Sequence, residues 1–348
     1  MHPKTLLAGA AVALIIAGCG GVEMMNTTTQ AHATSTTAQP TTTAPLAPTT
    51  AGVEDAYALT RDVLYLSDDE RELRLDVYVP LGDGPFPVVV LIHGLPSSKD
   101  DPYQSWTAAA AAEAGMAVFV PDWNPTPPSR PRTTDLREAF ATTACALAYA
   151  EQEAESYGGD PTRVVTSGFS AGALEAAWLA LGHDVGIPEG CVAGGIPYRP
   201  VGAVLGDSEY FLHSRYFDQA FDADPDGMQE ITSAIVDPAH WPDDLSARFR
   251  IWYAESSPPI VIRRFEDAWA EDDWLAQRDP GGSIREDLSE LGLLADGIIS
   301  YLDESELLAF RLRRAGLDAT ATMHPGGHTM LDKTDELVAY LLDAAGTG

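Results

Sequence analysis

The chain has 348 residues, of which 45% are hydrophobic, and its 21 Lys and Arg against 52 Asp and Glu leave a formal charge of −31. That length fits one large α/β domain or two small ones. So few cations cannot build a basic surface, which excludes nucleic acid as a partner. Three cysteines (Cys19, Cys145 and Cys191) are too few for a disulfide scaffold or a Cys-based zinc cluster.

Met1–Lys4 is a short positive start, and the apolar run Thr5–Ala17 is shorter than the roughly 20 residues of a spanning helix. It ends in Ile16-Ala17-Gly18-Cys19, which resembles the bacterial lipobox. The resemblance implies a lipoprotein signal peptide over residues 1–18. It also implies lipidation of Cys19 (palmitate among the acyl chains) and anchoring on the extracytoplasmic face of the cell membrane. Residues 19–55 are rich in Thr and Pro and lack an apolar period, so a disordered tether is expected there. Residues 56–348 remain as the folded domain.

Within it, 61–66 and 73–79 alternate apolar and polar residues and predict an antiparallel pair. Phe86–Ile92 is continuously apolar and predicts a strand covered on both faces. An Ala-rich helix over 104–114 and a buried strand over 116–120 follow. A long helix over 133–157 is stopped by Gly158-Gly159-Asp160-Pro161. Residues 163–167 predict a strand, 171–181 a helix, 191–196 and 248–253 strands, 305–315 a helix, 318–323 a strand and 332–342 the last helix. Alternation of this kind specifies a mostly parallel central sheet with helices on both faces. Two stretches, 197–245 and 258–295, break the rhythm and carry Trp269 and Trp274. They are expected to be lid-like insertions over the ligand crevice.

The motif with chemical content is Gly168-Phe169-Ser170-Ala171-Gly172. It falls between a buried strand and a helix, where a nucleophile elbow belongs. The sharp turn presents the Ser170 hydroxyl, and the following helix points its positive end at developing negative charge.

From about residue 60 to 345 the chain resembles the α/β-hydrolase superfamily of serine esterases and lipases. His93-Gly94-Leu95 follows the buried strand, the elbow comes later, and Pro325-Gly326-Gly327-His328 lies between a short strand and the final helix. The resemblance implies that Ser170 is the nucleophile, that His328 is the general base, and that the backbone amides of Leu95 and Ala171 form the oxyanion hole. His93 is expected to hold the loop rather than react. Leu95-Pro96 after the His-Gly departs from the HGGG-type esterases. The family's acid commonly lies after the penultimate strand, roughly 30 residues before the His. Asp296 fits best, Glu255 and Asp303 being the alternatives. His324 is expected to face outward. His183, His213 and His240 lack metal-ligand spacing, and neither metal nor cofactor is expected. Cys145 and Cys191 are expected to pair as a disulfide outside the cytoplasm.

The implied activity is cleavage of small carboxylic esters through an acyl-enzyme. Fold and triad alone also serve lipases, polyesterases and peptidases, and a non-catalytic surface binding protein is a rival of another class.

Overall fold

Successive side chains of a strand leave on opposite faces, so an apolar strand needs cover on both. The computed structural model describes residues 49–53, 56–69, 71–95, 97–123, 136–182, 186–195, 199–210, 231, 234–256, 263–264, 283–329 and 334–347. In it Phe86–Ile92 (β4) is the centre of a nine-stranded sheet. Val88, Val90 and Ile92 pack on one face, while Val89 and Leu91 pack on the other. Each such side chain contributes about 1.5–3 kcal/mol by leaving water, so neither face tolerates solvent.

The edge nearest the N-terminus is antiparallel. Thr49–Val53 (β1), Tyr57–Ser67 (β2) and Glu72–Pro80 (β3) pair in turn, and β3 pairs antiparallel with Ala117–Pro121 (β5). From there the sheet is parallel. Its order is β5, β4, Gly159–Phe169 (β6), Gly202–Gly206 (β7), Arg248–Ala254 (β8) and Ala319–His324 (β11). A separate ribbon pairs Arg263–Arg264 (β9) with Ile298–Ile299 (β10).

Helices cover both faces. On one lie Pro102–Glu113 (α1) and Thr334–Ala344 (α6); on the other lie Leu136–Glu153 (α2), Ala171–Ala180 (α3), Ser283–Glu290 (α4) and Tyr301–Arg314 (α5). Asp101 caps α1 by accepting a hydrogen bond from the Tyr103 amide at 3.0 Å. A 3₁₀ turn over Ala154–Tyr157 ends the long helix at Gly158, whose φ is 69°. Among the described residues no helix is long and apolar enough to cross a membrane.

Three expectations need correction. Thr49–Val53, placed in the tether, extends the sheet along β2; an edge strand pairs through backbone groups and needs no apolar side-chain pattern. The described part of 191–196, residues 191–195, does not form a strand. Cys191 makes only an isolated bridge to Leu66. The strand lies further on as β7, inside the stretch 197–245 expected to be a lid. Of the two stretches, residues 211–230 and 265–282, with Trp269 and Trp274, lie outside the described residues, whereas 283–290 form α4, whose Ile284 and Leu288 are buried in the core. The signal segment 1–18 and Cys19 also lie outside the described residues.

Cys145 and Cys191 form a disulfide, with Sγ atoms 2.02 Å apart. It ties α2 to the loop whose Val192 amide donates to the Tyr65 carbonyl of β2 at 2.9 Å.

Candidate active site

β6 runs into α3 with one residue between them, and Ser170 takes that bend. Its φ of 55° and ψ of −128° lie where non-glycine residues rarely sit, a strain of order 1–3 kcal/mol. Backbone and side-chain hydrogen bonds hold it. The Ser170 amide donates to the Gly206 carbonyl at 2.9 Å, and its carbonyl accepts from the Ala173 amide at 2.9 Å and from Ser208 Oγ at 2.7 Å. The glycines of the motif are required by space. A Cβ on Gly168 would lie 2.1 Å from the Gly172 carbonyl oxygen, and one on Gly172 would lie 2.3 Å from that of Ile92. Strand, turn and helix can approach β4 this closely only without those side chains.

His328 follows β11 on the turn Pro325–His328. Its Nδ1 lies 2.6 Å from Asp207 Oδ2. Asp207 directly follows β7, is fully buried and has a φ of 41°. Its amide donates to the Trp252 carbonyl at 2.8 Å, and its Oδ1 accepts from the Ala254 amide at 2.9 Å. A carboxylate only accepts hydrogen bonds, so the proton of the His328 pair sits on Nδ1 and Nε2 carries the lone pair. Phe169 stacks on the imidazole at 4.4 Å between centroids, and Tyr301 lies at 5.4 Å. Burial, then the carboxylates of Glu209, Glu304 and Asp207, push the Tyr301 phenol far up and keep it neutral.

Ser170 and His328 line one cavity of about 350 Å³, together with Gly94 and Leu95 from the loop after β4. Ala171 is the first residue of α3, so its amide is among the helix N–H groups with no intrahelical acceptor. His93 is buried and stacks on Trp123 at 5.2 Å. Its Nδ1 is 2.9 Å from the Gly94 carbonyl, and Trp123 Nε1 donates to the His93 carbonyl at 2.8 Å. Burial lowers its pKa to about 4, so it is neutral at ordinary pH. It holds the loop, as expected.

The carboxylate that pairs with His328 is Asp207, not one of the three that the sequence offers. Asp296 is exposed on a turn and caps it by accepting from the Ile298 amide at 3.0 Å. Glu255 is exposed, and its amide donates to the His324 carbonyl at 2.8 Å. Asp303 closes a capping box with Ser300 at the start of α5, and burial raises its pKa to about 6. None of the three pairs with His328. Asp207 was missed because the strand that delivers it was missed. His324 also departs from expectation. It is buried, with Nδ1 2.7 Å from Glu336 and Nε2 3.2 Å from the Tyr340 hydroxyl, and it ties β11 to α6. Among the described residues no group of three or more His, Cys, Asp or Glu is placed to hold a metal ion.

A family model described as BD-FAE matches residues 75–192. That span holds the loop after β4 and the elbow but ends before Asp207 and His328. Solved structures resemble the chain over most of its length. A thermophilic esterase of the Planctomycetes species Thermogutta terrifontis is 18% identical, over 82% of this chain and 93% of that one, with a TM-score of 0.51. A truncated carbohydrate esterase from gut microbiota is 15% identical, over 84% and 99%, with a TM-score of 0.53. This is the α/β-hydrolase fold. An arylesterase, 14% identical over 86% and 87% with a TM-score of 0.51, has the same architecture. A search of curated protein sequences gives no match. In the terms of the α/β-hydrolase fold, Ser170 stands at the elbow and His328 after the last strand, as the resemblance implied. The carboxylate paired with His328 follows β7, one strand earlier than the position expected for the acid.

Proposed function

We propose that this protein is an exported, membrane-anchored serine hydrolase that cleaves carboxylic esters through an acyl-enzyme on Ser170. The observation that carries the reading is the hydrogen bond from His328 Nδ1 to buried Asp207, beside a strained Ser170 in the same cavity. With Nδ1 committed to Asp207, Nε2 is the ring nitrogen able to take the Ser170 proton as Oγ attacks the ester carbonyl. Asp207 stays ionised and stabilises the imidazolium. The Leu95 and Ala171 amides receive the negative charge of the tetrahedral intermediate, a contribution of about 3–4 kcal/mol per donor in comparable sites. His328 then protonates the leaving alcohol and activates water for deacylation. No cofactor enters the reaction.

The Thermogutta terrifontis esterase has been solved with butyrate and with propionate bound. That supports small esters with short acyl groups as substrates here, ahead of lipase, polyesterase or peptidase activity and of a purely binding role. Anchoring rests on the lipobox at Cys19. Ser170→Ala and His328→Ala are each expected to abolish turnover of p-nitrophenyl butyrate while leaving the protein folded. A fluorophosphonate probe is expected to label the wild type and not Ser170→Ala. Turnover retained in either variant contradicts the mechanism. Cys19→Ala is expected to release the protein into the medium; retention at the membrane contradicts the anchor.

A further inference from the structure

The wall of the catalytic cavity contributed by the loop after β4 and the first turn of α1 is polar. It carries Ser97, Asp101, Tyr103 and Gln104. Asp101 is already engaged, Oδ2 accepting from Ser97 Oγ at 2.8 Å and Oδ1 from the Tyr103 amide. Gln104 is different. The residue is 2% exposed, its Oε1 is enclosed, and that oxygen has no hydrogen-bond partner among the described residues. A carboxamide offers two donors and two acceptor lone pairs. Burying one without partners costs folding free energy that Leu or Met, equally good helix formers, would not incur. An unpaired polar group at a catalytic wall is a cost that binding can repay.

The neighbouring charge narrows what could repay it. An anionic group on the ligand would meet the Asp101 carboxylate in a chain of net charge −31. A neutral hydroxyl meets no such penalty, and it can both donate to and accept from a carboxamide. We propose that Gln104 is a specificity-determining residue that binds a hydroxyl borne by the ester substrate close to its scissile carbonyl. The proposal rests on the ester-hydrolase reading and deepens it.

The test compares ethyl butyrate with ethyl 3-hydroxybutyrate and with 2-hydroxyethyl butyrate, by pH-stat titration of the acid released. Each kcat/KM is normalised to the ester's alkaline hydrolysis rate. The wild type is expected to favour at least one hydroxylated ester by tenfold or more. In Gln104→Leu that ratio is expected to fall to near one, and Gln104→Met, which keeps the chain length, should behave alike if the Leu variant is unstable. A wild-type ratio near one for both hydroxylated esters overturns the proposal without any variant. So does a preference that survives both substitutions. If the wild type turns over none of the three esters, the ester-hydrolase reading itself fails, and this proposal with it.

Discussion

Replacing Asp207 by Asn probes the site at its least anticipated residue. The carboxamide has the shape of the carboxylate and can still accept from the Ala254 amide through its oxygen. Its NH₂ then faces His328 Nδ1, 2.6 Å from where Oδ2 stood. Two donors cannot share that contact, so Nδ1 must become the acceptor and the ring proton moves to Nε2. The nitrogen that should take the Ser170 proton is then blocked. In a serine protease triad the same change costs about 10⁴-fold in kcat, or about 5 kcal/mol of transition-state stabilisation. The expected result is a loss of at least 10³-fold in kcat on p-nitrophenyl butyrate, with KM little changed and the melting temperature within a few degrees. Asp296→Asn and Glu255→Gln alter exposed side chains that do not pair with His328 and are expected to stay within threefold of wild type. An Asp207→Asn enzyme keeping more than a tenth of its kcat, or an Asp296→Asn enzyme losing most of it, would refute the assignment.

Gly172→Ala places a methyl group 2.3 Å from the Ile92 carbonyl oxygen. α3 must then retreat from β4, at a cost of about 1–3 kcal/mol or more; thermal unfolding should show the loss, and kcat should fall at least tenfold as the elbow shifts. The disulfide closes a separation of 46 residues, for which chain-entropy arithmetic gives about 4 kcal/mol. Cys145→Ser with Cys191→Ser should therefore lower the urea midpoint clearly, and an unchanged midpoint would show the link to be energetically idle. His93 stays neutral down to about pH 4 in the folded state, against an ordinary value of 6.5. As pH falls from 6.5 towards 4 the unfolded chain gains a proton there that the folded one refuses, so stability is lost. At pH 4.5 this amounts to about 2–3 kcal/mol. Urea titrations of wild type and His93→Gln at pH 7 and 4.5 should show the gap between them narrowing by that amount.

Much of the fold could be read from the sequence because its central strands are apolar on both faces. Phe86–Ile92 and Met116–Val120 leave no alternative to burial, and the β-then-α rhythm follows from them and the helices between. The elbow was legible for a steric reason, since its two glycines mark a place where backbone meets backbone. The acid was not legible because its strand, Gly202-Ala-Val-Leu-Gly206, is short and bounded by glycines, which mark a loop on propensity alone. Both glycines answer to neighbours distant in sequence. A Cβ on Gly202 would lie 2.6 Å from the Ala344 carbonyl oxygen, and one on Gly206 would lie 2.5 Å from the Trp252 ring. Nothing local records those contacts. Cys191–Ile196, with Val192 and Ile196, looked more strand-like and took the place of the true strand. On that local pattern Asp207 falls inside a lid, and the later carboxylates stand out in its place.

The earlier position of the acid changes what the end of β8 is free to do. Asp207 draws its support sideways from β8, through the Trp252 carbonyl and the Ala254 amide. β8 thus orients the carboxylate without supplying it. The next two residues, Glu255 and Ser256, occupy the turn that would otherwise hold the acid, and they grip the histidine's own loop instead. The Glu255 amide donates to the His324 carbonyl, and the Ser256 amide and hydroxyl both donate to the Gly326 carbonyl, at 3.1 and 3.0 Å. One strand end therefore fixes both partners of the Asp207–His328 pair, mostly through backbone groups of residues 252–256, with the Ser256 hydroxyl adding one side-chain contact. The 2.6 Å hydrogen bond is then set by the pairing of β7, β8 and β11, so the proton-accepting face of His328 is as rigid as the sheet itself.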